Sequence, residues 1–325
     1  MRTEIAVEIG SQNLRIFQKG IGLVFCEPTL LSVKQRGRKL VCTSIGNDTL
    51  KLVGETDDEI IQPIKEGAII NYQACKLLLS KVLNKLFGKK FALNKIKAVL
   101  CISTGLTKSE KDELLQLFFD CGIGEVSLVP VLLCIANLID NSSSAPHFIV
   151  DIGAGKTEIG IVTNMQVVNA FTISVGGQLM DIGISEYFKM AKSFTTSPFI
   201  IQALKESIGS LFTSDSASQK IWGMNLKDEQ PKQYTVSARE FYQVLDNCYD
   251  KIAVAIKALL SDCDPTLSKL IVKQGIVYAG DGCKILGFEK YMQDKLHIKA
   301  LVCDAWGQAS VEGAATLLEK IESTS

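Results

Sequence analysis

The sequence has few residues of the kinds that mark many enzymes and secreted proteins. Its 325 residues include only two histidines, His147 and His297, which argues against histidine-based catalysis and against a histidine-rich metal site. Its ten cysteines stand singly between Cys26 and Cys303 without a C-x-x-C pair, which fits neither a zinc site nor a disulfide framework. We therefore expect most of these thiols to be small buried side chains in a reducing cytoplasm.

Net charge and long apolar runs are also missing. Lys+Arg and Asp+Glu number 35 each, so no strong field favours a nucleic acid partner. There is no signal peptide and no apolar run of ~18 residues, and we expect a cytoplasmic protein without a spanning helix. Apolar residues are plentiful at 47%, and a chain of this length can form two domains with separate cores.

Two short stretches share one pattern, an apolar strand, an acid, a glycine turn and a second alternating strand. The clearer one spans 148–162 and the weaker one spans 5–17. Each predicts a β-hairpin with a carboxylate at its mouth. The acids are Asp151 and Glu8, and the turns contain Gly153, Ala154, Gly155 and Lys156 in one case and Ser11, Gln12 and Asn13 in the other. Because turn N–H groups converge on anions and a carboxylate can hold Mg²⁺ through water, the pair predicts a duplicated fold that binds a nucleotide polyphosphate.

The segment Gly155-Lys156-Thr157 also has the letters that end a P-loop. A P-loop needs a second glycine with four residues between, and that position is Val150, inside the strand. The residues after Thr157 continue as a strand, where a P-loop would enter a helix. The sequence therefore excludes a Walker site here.

The rest of each half alternates strands and helices. Helical spacing predicts helices over 72–87 and 236–260, and a capping-box pattern at Thr107 and Glu110 predicts the start of another. In the second half we expect a strand to Val175 with a helix from about Met180, a helix over 197–212, a polar excursion over 213–234 and a strand over 272–278. This order predicts mixed sheets flanked by helices, with the glycine clusters at strand ends.

The motifs, taken in order, resemble those of the MreB group of bacterial actins, within the actin/Hsp70/hexokinase superfamily. The segments that carry the resemblance are 8–13, 27–29, 63–69, 151–158, 204–209, 275–282 and 309–315. The resemblance implies an α/β fold, a duplicated actin-like (RNase H-like) two-lobed fold with mixed sheets and a central nucleotide cleft. It implies the following division of the chain: a first lobe over 1–145 with a small insert at about 33–62, a second lobe over 146–325 with an insert at about 181–238, and a C-terminal helix over 309–322 that returns to the first lobe.

The same resemblance implies ATP or ADP with Mg²⁺ as cofactors. Asp151 is the implied catalytic carboxylate, and Glu8 and Asp151 are the implied metal-side carboxylates, acting through water. The implied nucleotide-binding residues are Ser11, Gln12, Asn13, Gly153, Ala154, Gly155, Lys156, Gly176, Gly177, Lys205, Glu206, Gly280, Asp281 and Gly282.

Departures from the family pattern concern hydrolysis. Glu8 replaces an Asp and is one methylene longer, Lys156 replaces a Thr, and Gln178 replaces an acid. In the segment where the family carries a water-activating carboxylate, this chain has Pro130-Val131 and no acid between Val126 and Ile139. Because valine cannot act as a general base, we expect ATP binding with slow or absent hydrolysis, at most a weak ATPase.

The resemblance implies self-assembly into cytoskeletal filaments, as a scaffold for cell shape or wall synthesis. Phe87, Phe91 and Leu93, beside Lys89 and Lys90, occupy the region of the family's membrane loop, so they either contact the inner membrane face or pack locally. Two alternatives remain open from the sequence. One is a degenerate paralogue that co-assembles with a conventional MreB, and the other is a nucleotide-dependent chaperone or reactivase of the same fold.

Overall fold

The computed structural model describes residues 3–37, 39–88, 92–140 and 145–323, with side chains up to residue 318. The chain divides into two compact units. Unit 1 comprises 1–144, 164–167 and 308–325, and unit 2 comprises 145–163 and 168–307. Within the described ranges, no helix has both the length and the hydropathy needed to cross a membrane.

The elements are numbered in chain order. The strands are β1 (Thr3–Ile9), β2 (Asn13–Gln18), β3 (Gly22–Pro28), β4 (Leu31–Arg36), β5 (Lys39–Ile45), β6 (Glu59–Ile61), β7 (Ile64–Lys65), β8 (Ala68–Ile69), β9 (Ile96–Ile102), β10 (Glu125–Pro130), β11 (His147–Ile152), β12 (Thr157–Thr163), β13 (Gln166–Ile173), β14 (Phe194–Thr195), β15 (Ser218–Asn225), β16 (Pro231–Ser237), β17 (Ile276–Ala279) and β18 (Ala300–Val302). The helices are α1 (Gly46–Lys51), α2 (Tyr72–Phe87), α3 (Lys108–Asp120), α4 (Val131–Ile139), α5 (Gly177–Lys192), α6 (Pro198–Ile208), α7 (Ala238–Ser261), α8 (Pro265–Gln274), α9 (Phe288–Leu296) and α10 (Ala309–Ser323).

Unit 1 is built on a five-stranded sheet with the order β10-β9-β1-β2-β3. β1 runs antiparallel to β2 and parallel to β9, and β9 runs parallel to β10. Because side chains alternate across a strand, Ile5, Val7 and Ile9 enter one apolar core, while Glu8 projects from the other face. The core is completed by α2 and α3, and the predicted capping box of Thr107 and Glu110 does start α3.

A smaller sheet of order β5-β4-β6 covers 31–61. This sheet and α1 make up most of the region where the resemblance implied a small insert, at about 33–62. Polar contacts hold it together, since the Thr43 hydroxyl donates to Asp58 Oδ2 at 2.8 Å and Lys34 Nζ lies 3.4 Å from Asp58 Oδ1. The contacts join residues far apart in sequence, which is why local pattern did not reveal them.

Unit 2 repeats the main sheet of unit 1. Its order is β13-β12-β11-β17-β18, with β11 antiparallel to β12, parallel to β17, and β17 parallel to β18. Strand for strand, this is the arrangement of β3, β2, β1, β9 and β10. The repetition confirms the predicted duplicated α/β fold with mixed sheets. The core of unit 2 packs α5, α7 and α9 against β11 and β12.

Four elements of unit 2 differ from the sequence-based expectation. The helix predicted over 197–212 ends at Ile208, and much of the expected polar excursion is the β15–β16 hairpin of a three-stranded sheet with β14. The strand predicted from Val272 begins at Ile276, because α8 occupies 265–274. Asp264 caps α8 by accepting from Thr266 N at 2.8 Å, proline follows at the first helical position, and Gly275 ends the helix with φ +98°. The helix expected from Met180 begins earlier, at Gly177.

Candidate functional site

Asp151 lies near the end of β11, opposite Glu158 of β12. Its neighbours Val150 and Ile152 are fully buried in the unit 2 core, so the alternation of the strand directs Asp151 to the other face of the sheet. The Gly153 N–H donates to Lys156 O at 2.9 Å and closes the predicted turn. The hairpin with a carboxylate at its mouth is therefore present in the structure.

The N-terminus of α5 packs directly on this turn. Gly177 N–H donates to Gly153 O at 3.1 Å, and Gln178 N–H donates to Ala154 O at 2.8 Å. A β-carbon at Gly176 would lie 2.6 Å from Ala154 O and 2.7 Å from Gly153 O. The backbone of Gly176 is extended, a conformation that any residue can adopt. Glycine is needed at this position because a β-carbon would collide with the carbonyl oxygens of the turn. The structure thus brings Gly176 and Gly177 against the turn that precedes them by some twenty residues.

The loop after β17 reaches the same edge of the unit 2 sheet. β11 and β17 are parallel with Asp151 opposite Ala279, so their carboxyl ends meet. Gly280 has φ +89°, and a β-carbon there would lie 2.7 Å from Asp151 Oδ1 and 2.6 Å from Ile152 C. A β-carbon at Gly282 would lie 3.0 Å from Ile152 O. Glycine at both positions allows the loop to pack on the end of β11.

Residues that the sequence analysis did not single out complete this edge. The Gly280 N–H donates to Trp306 O at 3.2 Å, in the segment that follows β18. Lys284 Nζ lies 2.7 Å from Asp281 Oδ1 and 5.2 Å from the centre of the Trp306 ring. Asp281 is therefore already ion-paired. The sequence pattern of the turn predicted Asp281 only. Lys284 reaches Asp281 through the short helix over 281–284, and Trp306 reaches Lys284 from the segment after β18, so neither contact could be read from the turn itself.

Lys205 holds the first turn of α5. Its Nζ donates to Gly177 O at 2.8 Å and lies 2.8 Å from Asp181 Oδ1, with 8% of its side chain exposed. Burial raises the pKa of Asp181, and the Lys205 ammonium opposes that increase. Glu206 is exposed and accepts from Gln202 Nε2 at 2.8 Å. The geometry gives Lys205 a positioning role at the turn, whereas Glu206 lies on the outer face of α6.

Lys156 is the last residue of the turn, and its ammonium faces inward. Its Nζ lies 3.8 Å from Glu158 Oε1, and the two side chains are 15% and 4% exposed. Glu158 is thus a nearly buried carboxylate, directly across the strand pair from Asp151. The edge of unit 2 holds two neighbouring carboxylates and one built-in cation.

Unit 1 carries a turn of the same kind after β1. The Gly10 N–H donates to Asn13 O at 2.9 Å, the same closure as in unit 2. Glu8 again lies opposite a residue of the next strand, but here that residue is a cation, with Arg15 Nη1 3.2 Å from Glu8 Oε2. The side chains of Arg15 and Glu8 are 8% and 17% exposed. The longer acid noted in the sequence is therefore part of an ion pair within the sheet.

The carbonyl groups of the unit 1 turn are held from one side. Thr29 donates from its N–H to Gln12 O at 2.9 Å and from its hydroxyl to Gly10 O at 2.7 Å. Gln62 Nε2 donates to Ser11 O. Thr29 belongs to the Glu-Pro-Thr segment of the resemblance, which gives that segment a structural role. Gln62 was not predicted, because it is 51 residues away in sequence.

Val131 begins α4, directly after β10. Since β10 is parallel to β9 and β9 to β1, this residue lies at the same edge of the unit 1 sheet as the turn after β1. Its side chain is only 6% exposed. At the start of α4, where the resemblance implies a carboxylate, this chain therefore has a buried apolar side chain.

These residues fit a protein-held Mg²⁺ poorly. Mg²⁺ prefers one or two carboxylates together with phosphates and water. The Glu8 carboxylate is paired with Arg15, and the Asp151–Glu158 pair has the Lys156 ammonium beside it. Among the described residues, no group of three or more His, Cys, Asp or Glu side chains could hold a metal.

Two of the three candidate membrane residues pack against the unit 1 core from outside it. Phe87 and Leu93 are partly buried and pack against that core. Phe91, with Lys89 and Lys90, lies outside the described residues.

The duplicated sheets, each with an acid and a glycine turn after its first strand, define an actin-like fold. Structures of Spiroplasma citri MreB5 share it: the ADP-bound form has a TM-score of 0.92 at 25% identity, and the AMPPNP-bound form 0.91 at 24%, each over 100% of this chain and 98% of the other. A MamK double helical filament has a TM-score of 0.82 at 18% identity, over 98% and 99%. The chain belongs to the MreB/Mbl protein family, whose sequence profile matches residues 2–325. It is 24% identical to the cell shape-determining protein MreB of Escherichia coli K12, over 98% of this chain and 94% of that protein.

Proposed function

We propose that this chain is a nucleotide-binding bacterial actin that assembles into cytoskeletal filaments and acts as a scaffold for cell shape and wall synthesis. The relatives support this: the E. coli protein determines cell shape, MreB5 is bound to AMPPNP or ADP, and MamK forms a filament. The family match over the whole chain favours this function over the chaperone considered above.

The observation that carries nucleotide binding is the direction of the peptide groups in the unit 2 turn. The carbonyl oxygens of Gly153 and Ala154 accept hydrogen bonds from the first turn of α5. In a trans peptide the N–H points away from the C=O, so the N–H groups of Ala154 and Gly155 point away from α5. Two successive N–H groups aimed to one side form a concave anion site, which suits a phosphate.

Hydrolysis is proposed to be slow or absent. Val131 is apolar and buried, and a general base must reach the water that it activates. Glu158 is nearly buried beside Lys156, and Asp281 is paired with Lys284, so neither is placed as an obvious substitute. Asp151, the candidate catalytic carboxylate, is left to orient water or the nucleotide at the turn.

The test is sedimentation of the purified chain with ATP, ADP, AMPPNP or no nucleotide, with phosphate release measured in the same tubes and nucleotide affinity measured separately. We expect nucleotide-dependent pelleting with little phosphate release. A chain that binds no nucleotide and pellets under no condition would overturn the proposal. Pelleting only after addition of a second family member would instead favour the co-assembling paralogue.

We also propose that the protein resides in the cytoplasm. All ten cysteines lie in the described part of the chain and all are free thiols, as a reducing compartment allows. A peripheral membrane contact through Phe87, Phe91 and Leu93 remains a prediction, and the packing of Phe87 and Leu93 against the core leaves little of those two side chains for lipid. Flotation with anionic vesicles, comparing the chain with its Phe91→Ser variant, tests it.

A further inference from the structure

We propose that Lys156 takes the place of a divalent cation at the unit 2 turn, so that this chain binds nucleotide almost as tightly without Mg²⁺ as with it. The inference rests on the proposed nucleotide binding and adds its metal requirement. In this proposal the Lys156 ammonium supplies the positive charge that a metal ion would otherwise supply between the carboxylates of the protein and the phosphates of the nucleotide.

The position of Lys156 is the first support. It follows directly on the two peptide N–H groups that face away from α5, and its own carbonyl closes the turn by accepting from Gly153 N–H at 2.9 Å. The side chain is 15% exposed and its Nζ lies 3.8 Å from Glu158 Oε1. A flexible surface lysine would be mostly exposed, so this ammonium is held at the turn. Lysine is a strong point-charge partner for phosphate.

The charges around the turn are the second support. Asp151 and Glu158 are directly opposite each other, and such partners have β-carbons about 4.5–5.5 Å apart. Two neighbouring carboxylates at a phosphate site form the setting in which a protein normally recruits a divalent cation. Here the Lys156 ammonium already offsets one of the two negative charges. A second cation at this place would be repelled by the ammonium and would gain less from the carboxylates.

Unit 1 also places a basic side chain next to a carboxylate of its hairpin. Glu8 occupies the strand position that corresponds to Asp151, and Arg15 occupies the position that corresponds to Glu158. The Arg15 guanidinium lies 3.2 Å from the Glu8 carboxylate. Unit 1 therefore has a protein cation beside its hairpin acid, and unit 2 has one beside Glu158, the carboxylate opposite its hairpin acid. No metal-ligand cluster occurs among the described residues.

The experiment is a titration of the purified chain with a fluorescent ATP analogue, once with Mg²⁺ and once with excess EDTA. For the wild-type chain we expect dissociation constants that agree within about threefold, less than the tenfold that corresponds to 1.4 kcal/mol. Lys156→Thr should weaken binding in EDTA by roughly tenfold or more relative to Mg²⁺, because the remaining carboxylates then need a metal to accept a phosphate. Lys156→Arg keeps the charge and should keep the wild-type ratio.

Lys295→Thr is the matched control. Lys295 also pairs with a carboxylate, with its Nζ 2.6 Å from Asp250 Oδ1, but on α9 away from the turn. This variant should keep the wild-type ratio. Wild-type binding that is lost in EDTA would overturn the inference and leave nucleotide binding intact. An unchanged ratio in folded Lys156→Thr would overturn the role of Lys156. Absence of binding in both buffers would overturn the proposed function itself. The ratio of the wild-type dissociation constants in EDTA and in Mg²⁺ is measured without any variant. It therefore tests the inference even if a variant fails to fold.

Discussion

Arg15 and Glu8 face each other across β1 and β2, with Arg15 Nη1 3.2 Å from Glu8 Oε2. At the corresponding place in unit 2, Asp151 faces Glu158, and the cation comes from the turn as Lys156. The two units thus share the hairpin but obtain their positive charge from different positions. Removing one partner of a buried ion pair leaves the other charge uncompensated, which lowers the stability of the folded chain.

The Arg15–Glu8 pair should contribute strongly to the stability of unit 1. Arg15→Met removes the guanidinium from a mostly buried Glu8 carboxylate, and breaking a buried ion pair in this way costs about 3–5 kcal/mol in the free energy of unfolding. Glu8→Gln in the same chain should recover part of the loss. The measurement is the thermal unfolding midpoint. The control is Lys76→Met, which breaks the more exposed Lys76–Asp120 pair and should change little. Equal losses in the two single variants would contradict the prediction.

Gly280→Ala should damage the candidate site beyond the strain of its backbone. Gly280 and Gly20 both have positive φ, +89° and +76°, so alanine is strained at either position. At Gly20 a β-carbon meets nothing within 4 Å, whereas at Gly280 it would lie 2.7 Å from Asp151 Oδ1. We expect Gly20→Ala to lower stability by about 1 kcal/mol with unchanged nucleotide affinity. Gly280→Ala should lower both the unfolding midpoint and the affinity. Equal affinities in the two variants would argue against a site at this edge.

Stability should depend on pH through Asp181. Burial raises the pKa of Asp181 above 3.8 in the folded chain, despite the nearby Lys205 ammonium. The folded state therefore holds a proton that the unfolded state has released, and stability falls as pH rises from about 3.8 through the raised pKa. Lys205→Met removes the opposing cation, so the gap in unfolding midpoint between it and the wild type should widen as pH rises.

The matched control for this pH dependence is Asp181→Asn. In that background Lys205→Met should produce a gap that does not change with pH over the same range. A gap that grows equally in both backgrounds would show that another group titrates.

The parts of this fold that sequence predicted are those set by neighbours in the chain. Alternating apolar residues and a glycine turn define the hairpin around Asp151 within about fifteen residues, and a capping box defines α3. Lys205 and Glu206 were predicted as a pair, but adjacent residues of a helix point about 100° apart, so only Lys205 faces α5. The contacts of Lys205 with Gly177 and Asp181, and the contact of Trp306 with Gly280, depend on tertiary packing. No local sequence pattern predicts them.

Hydrolysis should be restored in part by an acid at Val131. This residue begins α4, where the helix N-terminus favours a negative charge, although its 6% exposure makes burial costly. A correctly placed general base contributes about 10²–10⁴ in rate, so even a poorly placed glutamate in Val131→Glu should raise phosphate release measurably. The control is Val131→Gln, which has the same shape and cannot accept the proton. If both variants release phosphate equally fast, the gain comes from loosened packing of α4, and the slow hydrolysis proposed for this chain has another cause than the missing base. If only the glutamate variant is faster, a single apolar side chain at the start of one helix keeps the nucleotide intact.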